Sequence, residues 1–421
     1  MQNQAKNLIN KLGIDARLLG MIGALIVLWI AFDLFTGGRF LTPRNLFNLS
    51  VQTASVAVMA TGMVFVIVTR NIDLSVGSML GFIGMTVAAL QVQWLPEMIG
   101  LGHWSIWIIA VFAAILMGSI LGAFQGWVIG YLMVPSFIVT LGGLLVYRGA
   151  MWWVTKGQTQ APLDPTYRLL GGGADGTLGE TVSWAFGILA AVISVVLILL
   201  SRRRKSSHGF VVKPFWAETI LMGLAAGLVI CFVWVMNSYP IAKGALPRIA
   251  EARGIEVVEG LQLYHGVAIP VVILLVVTVL MTIVSQRTRF GRYIYATGGN
   301  PEAAELSGIN TRLLTVKVFA LMGALTGLSA VIASARLGAV DVGLGTLDEL
   351  RVIAAAVIGG TALAGGFGTI YGAVIGAIIM QSLQSGMASV GVDAPLQSIV
   401  VGVVLVFAVW VDIVYRRRAG V

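Results

Sequence analysis

The sequence predicts an all-α polytopic membrane protein of about 10–12 transmembrane helices, some of them broken, forming a single membrane domain over residues 1–421. Three observations carry this. Of 421 residues, 58% are hydrophobic and only 11% charged, whereas ordinary soluble domains carry about 25% charged residues. Mean hydropathy is +0.94. The apolar residues also arrive in long runs, near the ~20 residues a helix needs to cross hydrocarbon. A soluble fold of this size could not cover its surface with so few polar groups.

Taken in order, the runs begin after Lys6, Lys11 and Arg17. The first, 18–36, has the basic start of a secretion signal but is too long and lacks a small-residue cleavage site, so it reads as an uncleaved span. Runs 46–69, 74–93, 104–130 and 136–154 follow. The section 155–265 reads as an insert with two further spans, 183–200 and 215–237, flanked by long loops at 155–182 and 238–265. The second of these loops is charged and leaves room for a short helix. The last spans are 266–285, 315–334, 349–364, 370–390 and 396–414. Polar or glycine interruptions predict breaks in 46–69 and 349–364. Trp94, Trp104, Trp107, Trp152, Trp153 and Trp184 fall at one set of span ends, where indole rings favour the interface.

Orientation follows from charge. With the N-terminus cytoplasmic, well over half of the 27 Lys and Arg fall in inside loops, including the clusters Arg202–Lys205 and Arg416–Arg418. An even span count returns the C-terminus to that side, making 1–17, 286–314 and 415–421 cytoplasmic. The net charge of +9 is therefore a topology signal and not a nucleic-acid surface. The lone Cys231 excludes a disulfide framework, and the scattered His103, His208 and His265 argue against a metal site.

Glycines are the packing material. Gly118, Gly122, Gly126 and Gly130 line one face of a span, and Gly368, Gly372 and Gly376 another. Small residues at this spacing let backbones approach closely in lipid. A faint parallel repeat aligns Val66-Ile67 with Val357-Ile358, Gly77 with Gly368, Ser78 with Thr369 and Gly81 with Gly372.

The polar island Phe290 to Asn310 stands out between apolar runs. Its inner piece reads as a short helix: Asn300 as N-cap, Pro301 at the first position, Glu302 in the first turn, Ala303, Ala304, Glu305 and Leu306 as its body, then Ser307 and the stop Gly308. A capped helix on a bundle of spans predicts a docking element. Near Arg70, the stretch Asn71 to Ser78 interrupts two apolar runs. An Asp at a span centre costs about 2.5–3.5 kcal/mol on insertion scales, so Asp73 pairs with Arg70, caps a helix beginning at Leu74, or lines a pathway together with Asn71 and Ser75. Ser136, Phe137 and Thr140 open another span; the hydroxyls of Ser136 and Thr140 either bond back to carbonyls or face a pore. Asp341, Asp348, Glu349 and Arg351 read as a solvated loop, or as a contact for a soluble delivery protein.

Absences bear on the energy source. The chain has no G-x-x-x-x-G-K-[ST] phosphate loop, no H-E-x-x-H and no G-x-S-x-G. Asp33, Asp73 and Asp412 lie near span ends, whereas a proton-coupled carrier would hold more charge inside the membrane. Energy is expected to enter through a partner at Phe290 to Ile309, with no catalytic residue in this chain.

The stretches FGRYIYATGGNPEAAELSGIN, NIDLSVGS, VPSFIVTLGG, SARLG (Ser334 to Gly338) and VIGGTALAGGFGTIYGAVIGA (Val357 to Ala377) resemble permease subunits of bacterial ATP-binding-cassette importers for monosaccharides. The match runs nearly the whole chain in order. With the insert and the ending Ala408 to Asp412, it looks most like the D-xylose branch. The resemblance implies an inner-membrane homodimer working with two copies of a cytoplasmic ATPase, which bind the ATP and Mg, and with a periplasmic sugar-binding protein. It implies that Asn300 to Ile309 is the coupling helix and that NIDLSVGS lies beside the sugar pathway. The chain departs from the pattern at Thr69-Arg70-Asn71, where relatives often carry glycines.

Overall fold

The computed structural model describes residues 16–210, 212–258 and 260–419. The expected N-terminal tail with Lys6 and Lys11, and the side chains of Asp412 and Arg416–Arg418, lie outside the described residues. In chain order the helices are α1 Ala16–Phe35, α2 Pro43–Val68, α3 Val76–Ile99 with a π turn at Leu90–Trp94, α4 Ile106–Tyr131 and α5 Ser136–Thr155. The insert supplies the short α6 Pro165–Leu169, the long α7 Gly179–Ser207 and α8 Phe215–Asn237, and the short α9 Leu246–Ala252. Then come α10 Ile269–Arg287, α11 Arg289–Gly299, α12 Pro301–Leu306, α13 Thr311–Leu337, α14 Asp348–Ile358, α15 Ile370–Ser389 and α16 Ala394–Ala419. Among the described residues, ten of these helices are long and apolar enough to cross a membrane.

Two expected breaks resolve differently. α2 is unbroken over 26 residues. Its hydroxyls bond back within the helix, Thr53 to the Leu49 carbonyl and Thr61 to the Val58 carbonyl, both at 2.7 Å, so the polar residues are absorbed without a kink. The 349–364 span, by contrast, is not a full span. α14 has 11 residues, about 16 Å at 1.5 Å per residue, roughly half a ~30 Å hydrocarbon core. Gly359 and Gly360, the latter with φ +86°, end it.

The centre of the bundle is α2, of which 89% of the apolar window is buried, flanked by α13 at 78% and α3 at 72%. α7 and α8 of the insert stand outside, at 17% and 11%. They pack on each other and are tied by the Arg202–Glu218 ion pair. The insert reaches the body through a small cluster of Phe47 and Val51 with Val233, Met236 and Val267.

The glycine stripe of α4 is a helix seam. A Cβ on Gly118 would collide with the Gly323 carbonyl of α13, and one on Gly122 with the Phe319 carbonyl. Gly372 and Gly376 do the same for α15 against Gly359 and Ala355 around α14. Without a hydrophobic force between helices in lipid, this backbone contact is the packing energy.

The loop 155–182 is held to the body and does not stand free of it. Gln160 bridges Val340, Asp164 caps α6 by accepting from the Tyr167 amide at 2.9 Å, and the buried Tyr167 hydroxyl lies 2.8 Å from Ser334 Oγ. Arg248–Asp175 ties it to the second loop at 2.6 Å. Trp94, Trp104, Trp152 and Trp153 are exposed around this same end of the bundle.

Candidate functional site

At the opposite end, the polar island builds two helices where one was expected. α11, capped by Thr288 Oγ1 on the Gly291 amide at 3.1 Å, buries Gly291, Ile294, Thr297 and Gly298 and leaves its basic residues outward. α12 follows as predicted from its residues. Asn300 Oδ1 accepts from the Ala303 amide at 3.0 Å, Pro301 opens the helix, and Gly308 ends it at φ +84°. The Gly308 amide donates to Glu305 and the Ile309 amide to Ala304, the paired bonds of a Schellman stop. Ser307 Oγ also closes on the Ala303 carbonyl at 2.8 Å. Ala304 is buried against the bundle, while Glu302, Ala303, Glu305 and Leu306 face out, Leu306 at 91% exposure. A helix this short is marginal in water by itself; here both ends are fixed by caps.

Beside α12 lies the elbow between α2 and α3. Arg70, at φ +64°, ends α2 and turns the chain. It does not pair with Asp73. Its Nε and Nη2 donate to the carbonyls of Gly298 and Gly299, each at 2.8 Å. The one-turn spacing expected for an Arg70–Asp73 pair fails because residues 71–75 are not helical. Nor does Asp73 cap a helix at Leu74: α3 starts at Val76, and Asp73 Oδ1 accepts from the Ser75 amide at 2.9 Å and its hydroxyl at 2.7 Å. This is an Asx-type turn leading into the helix. Burial pushes the Asp73 carboxyl up to about 6, against the two Ser75 hydrogen bonds that pull it down.

The other sequence candidates meet here. Gln125 of α4, which sequence reasoning did not single out, donates to Ser75 Oγ at 3.0 Å. Thr140 bonds back to the Ser136 carbonyl at 2.9 Å and reaches the Ile72 carbonyl at 3.3 Å, while Ser136 Oγ accepts from the Ile72 amide at 3.4 Å. Asn71 Nδ2 holds the Thr69 carbonyl at 3.1 Å. Phe137 is half-exposed on the outside of α5. Asp73 and Ser75, with Gln125, and Ser136 and Thr140, through the Ile72 backbone, brace one elbow in which Asn71 bonds locally to Thr69, while Phe137 stays half-exposed.

A concave feature lies elsewhere, in the half of the bundle remote from the island. It is a cavity of about 780 Å³, inside the ~300–1,000 Å³ range of small-molecule sites. Gln52 and Ser55 of α2, Arg336 of α13, Gln381, Gln384 and Ser385 of α15, and Gln397 of α16 line its walls. The descending loop Asp341 to Thr346 and the start of α14 form the rest. None of the sequence-named pathway residues lines it.

The cluster Asp341, Asp348, Glu349 and Arg351 is not a solvated loop. Only Asp341 is exposed. Asp348 and Arg351 pair at 2.8 Å across one turn of α14 and border the cavity. Glu349 is buried beside Gly77 of α3, its Oε2 without a hydrogen-bond partner among the described residues. The loop descends because α3 offers a face of glycines: Leu344 lies over Gly81 and Gly84, and Gly345 over Gly77. Charges in the cavity balance, Asp341 and Asp348 against Arg336 and Arg351, and the remaining polar groups are amides and hydroxyls. Gln381 Nε2 donates to Gln52 Oε1 at 2.9 Å, linking α15 to α2 across the cavity. Such a lining offers donors and acceptors without net charge, the chemistry that recognises a neutral polyhydroxylated molecule.

Comparison with known proteins closes the description. A family pattern described as "Branched-chain amino acid transport system / permease component" matches residues 45–409. The chain is 37% identical to the xylose transport system permease protein of Escherichia coli over 399 residues, 95% of this chain and 92% of that protein. It is 35% identical to the xylose transport system permease protein of Haemophilus influenzae, covering 94% and 96% of the two chains. It is 32% identical to the ribose import permease protein of Escherichia coli, covering 92% and 91%. No solved structure matches the chain significantly.

Proposed function

This chain belongs to the family of permease components of the branched-chain amino acid transport system type, and from that premise we propose that it is the membrane subunit of an ATP-driven importer of D-xylose. The relatives named for xylose are more similar to it than the one named for ribose; ribose or galactose is the second choice. Two copies pair in the bacterial inner membrane with both termini cytoplasmic. A cytoplasmic ATPase binds ATP and Mg and seats against Asn300 to Gly308, and a periplasmic sugar-binding protein delivers to the opposite end.

The cavity is the observation that carries this reading. It lies at the end remote from α12, and its amides and hydroxyls can hydrogen-bond the hydroxyls of a sugar; the choice of a sugar over an amino acid rests on the xylose- and ribose-named relatives. Sugar enters there, passes the start of α14, and leaves past the elbow of Asn71, Asp73 and Ser75. Nothing in this chain hydrolyses ATP; its part is to offer two arrangements of one passage and to let the partner choose between them.

The test is reconstitution with a partner ATPase and a periplasmic sugar-binding protein. Labelled xylose should accumulate only with ATP on the α12 side. Uptake driven by an ion gradient without ATPase would overturn the reading.

A further inference from the structure

We propose that Arg70 is a positioning residue that carries movement of the α12 helix into the transport passage, by clamping the C-terminal carbonyls of α11 to the α2–α3 elbow. The proposal rests on the reading of the chain as an ATP-driven permease. It starts from a non-glycine residue held at positive φ at the end of α2.

Three chain segments meet at one point. Arg70 gives two parallel hydrogen bonds of 2.8 Å, Nε to the Gly298 carbonyl and Nη2 to the Gly299 carbonyl. These are the last carbonyls of α11, where the helix dipole favours a cation. The Val68 carbonyl accepts from the Gly366 amide at 2.9 Å. The fit leaves no room for side chains: a Cβ on Gly298 would strike the Val68 carbonyl, and one on Gly365 would strike Arg70 Cγ.

From this knot the chain leaves in three directions. Gly299 is one residue from Asn300, so α12 is joined to it almost directly. Forward from Arg70 run Asn71 to Ser75, tied to α4 through Gln125 and to α5 through Ile72. Back from Gly366 the chain leads to Gly359 and so to α14, whose other end places Asp348 and Arg351 at the cavity. A push on α12 therefore reaches the elbow and the half-helix through the same few atoms.

The backbone makes the arginine informative. At φ +64° a glycine would be the comfortable residue. An arginine there accepts a less favourable backbone, and what it adds is the fork. A guanidinium holds two carbonyls in fixed directions; an ammonium cannot.

The experiment compares Arg70→Gly, Arg70→Ala and Arg70→Lys in the reconstituted complex with ATPase and binding protein, reading ATP hydrolysed per xylose imported. Arg70→Gly relaxes the backbone while removing the clamp. The expected result is normal assembly and ATP hydrolysis for all three, with ATP per sugar raised about tenfold or more in the Gly and Ala variants, the factor that follows from losing even one of the two charge-assisted bonds. The Lys variant falls between them and the native protein. Native coupling in Arg70→Gly would overturn the proposal, leaving Arg70 a helix terminator only. Failure of that variant to assemble would overturn it too, because a clamp confined to coupling leaves folding intact. If the native complex itself shows no ATP-driven uptake, the permease reading fails, and Arg70 is not at issue.

Discussion

The α4–α13 seam and the surroundings of α14 are built from the same small residues but to opposite effect. Along the seam, glycines on both helices place backbone against backbone over most of two 26- and 27-residue helices, with no charge and no orphaned polar atom among those described. Around α14, glycines of α3 and α15 also admit a close backbone. Yet what enters is an irregular loop, an 11-residue helix, an ion pair and a buried Glu349 lacking a partner for Oε2. Close-packed apolar contact has one good arrangement. A polar segment held by a few hydrogen bonds has alternatives of similar energy, and irregular backbone at membrane depth is tolerated where it borders a cavity. The seam is frame; α14 with its loop is the part suited to move.

The sharpest way to break that distinction is to fill the seam. Gly323→Leu forces a side chain into the Gly118 carbonyl, and overpacking of this kind costs about 1–3 kcal/mol or more. The expected outcome is loss of monodisperse protein in detergent by size-exclusion chromatography. Gly142→Ala, with open space around it, should behave as the native chain.

Second in size is a charge reversal at α12. Glu302→Lys or Glu305→Lys should leave a folded, inserted protein but reduce ATP-driven uptake by about an order of magnitude, since a misplaced charge at a docking face costs ~1–3 kcal/mol. Normal transport and normal ATPase association in these variants would remove α12 from the mechanism.

Third is the cavity. Gln381→Ala breaks the bond to Gln52 and removes a polar group facing the cavity. Uptake should slow by roughly fivefold, the effect of about 1 kcal/mol, with a small fall in melting temperature from the lost Gln381–Gln52 bond. The same loss from Phe137→Ala, which lies outside on α5, would argue that the passage runs elsewhere.

The smallest effect expected is a pH dependence at the elbow. The Asp73 carboxyl, raised to about 6, binds its proton more tightly folded than unfolded. Its stabilising contribution is therefore complete below its ordinary value near 4 and is lost as pH rises through about 6. The melting temperature of the native protein should fall by a few degrees across that window, and Asp73→Asn should flatten the curve.

How much of this the sequence discloses depends on whether the signal is local. Span positions are legible because charge is missing for whole runs. α12 is legible because Asn300, Pro301 and Gly308 each act within one turn. α11 was hidden: Arg289 to Gly299 mixes basic, aromatic and glycine residues, and only Thr288 as an N-cap could have marked it. The Arg70–Asp73 pair, one of the alternatives the sequence leaves open, does not form because one-turn spacing presumes a helix, which the positive φ of Arg70 ends. The cavity was least legible. Gln52, Arg336, Gln381 and Gln397 sit on four helices, each a polar residue in or near an apolar run, and only the packing of α2, α13, α15 and α16 assembles them. Glutamines inside spans are nonetheless costly, and treating them as candidates would have pointed to this cavity.

The permease reading is tested most directly at Leu306, the exposed tip of α12. A cysteine there, in the complex with ATPase and binding protein, should crosslink to the ATPase, and the crosslink should lock uptake while leaving the sugar-binding protein bound at the other end. Labelling of that cysteine by a membrane-impermeant reagent from the side where sugar is supplied, with no crosslink to the ATPase, would contradict it.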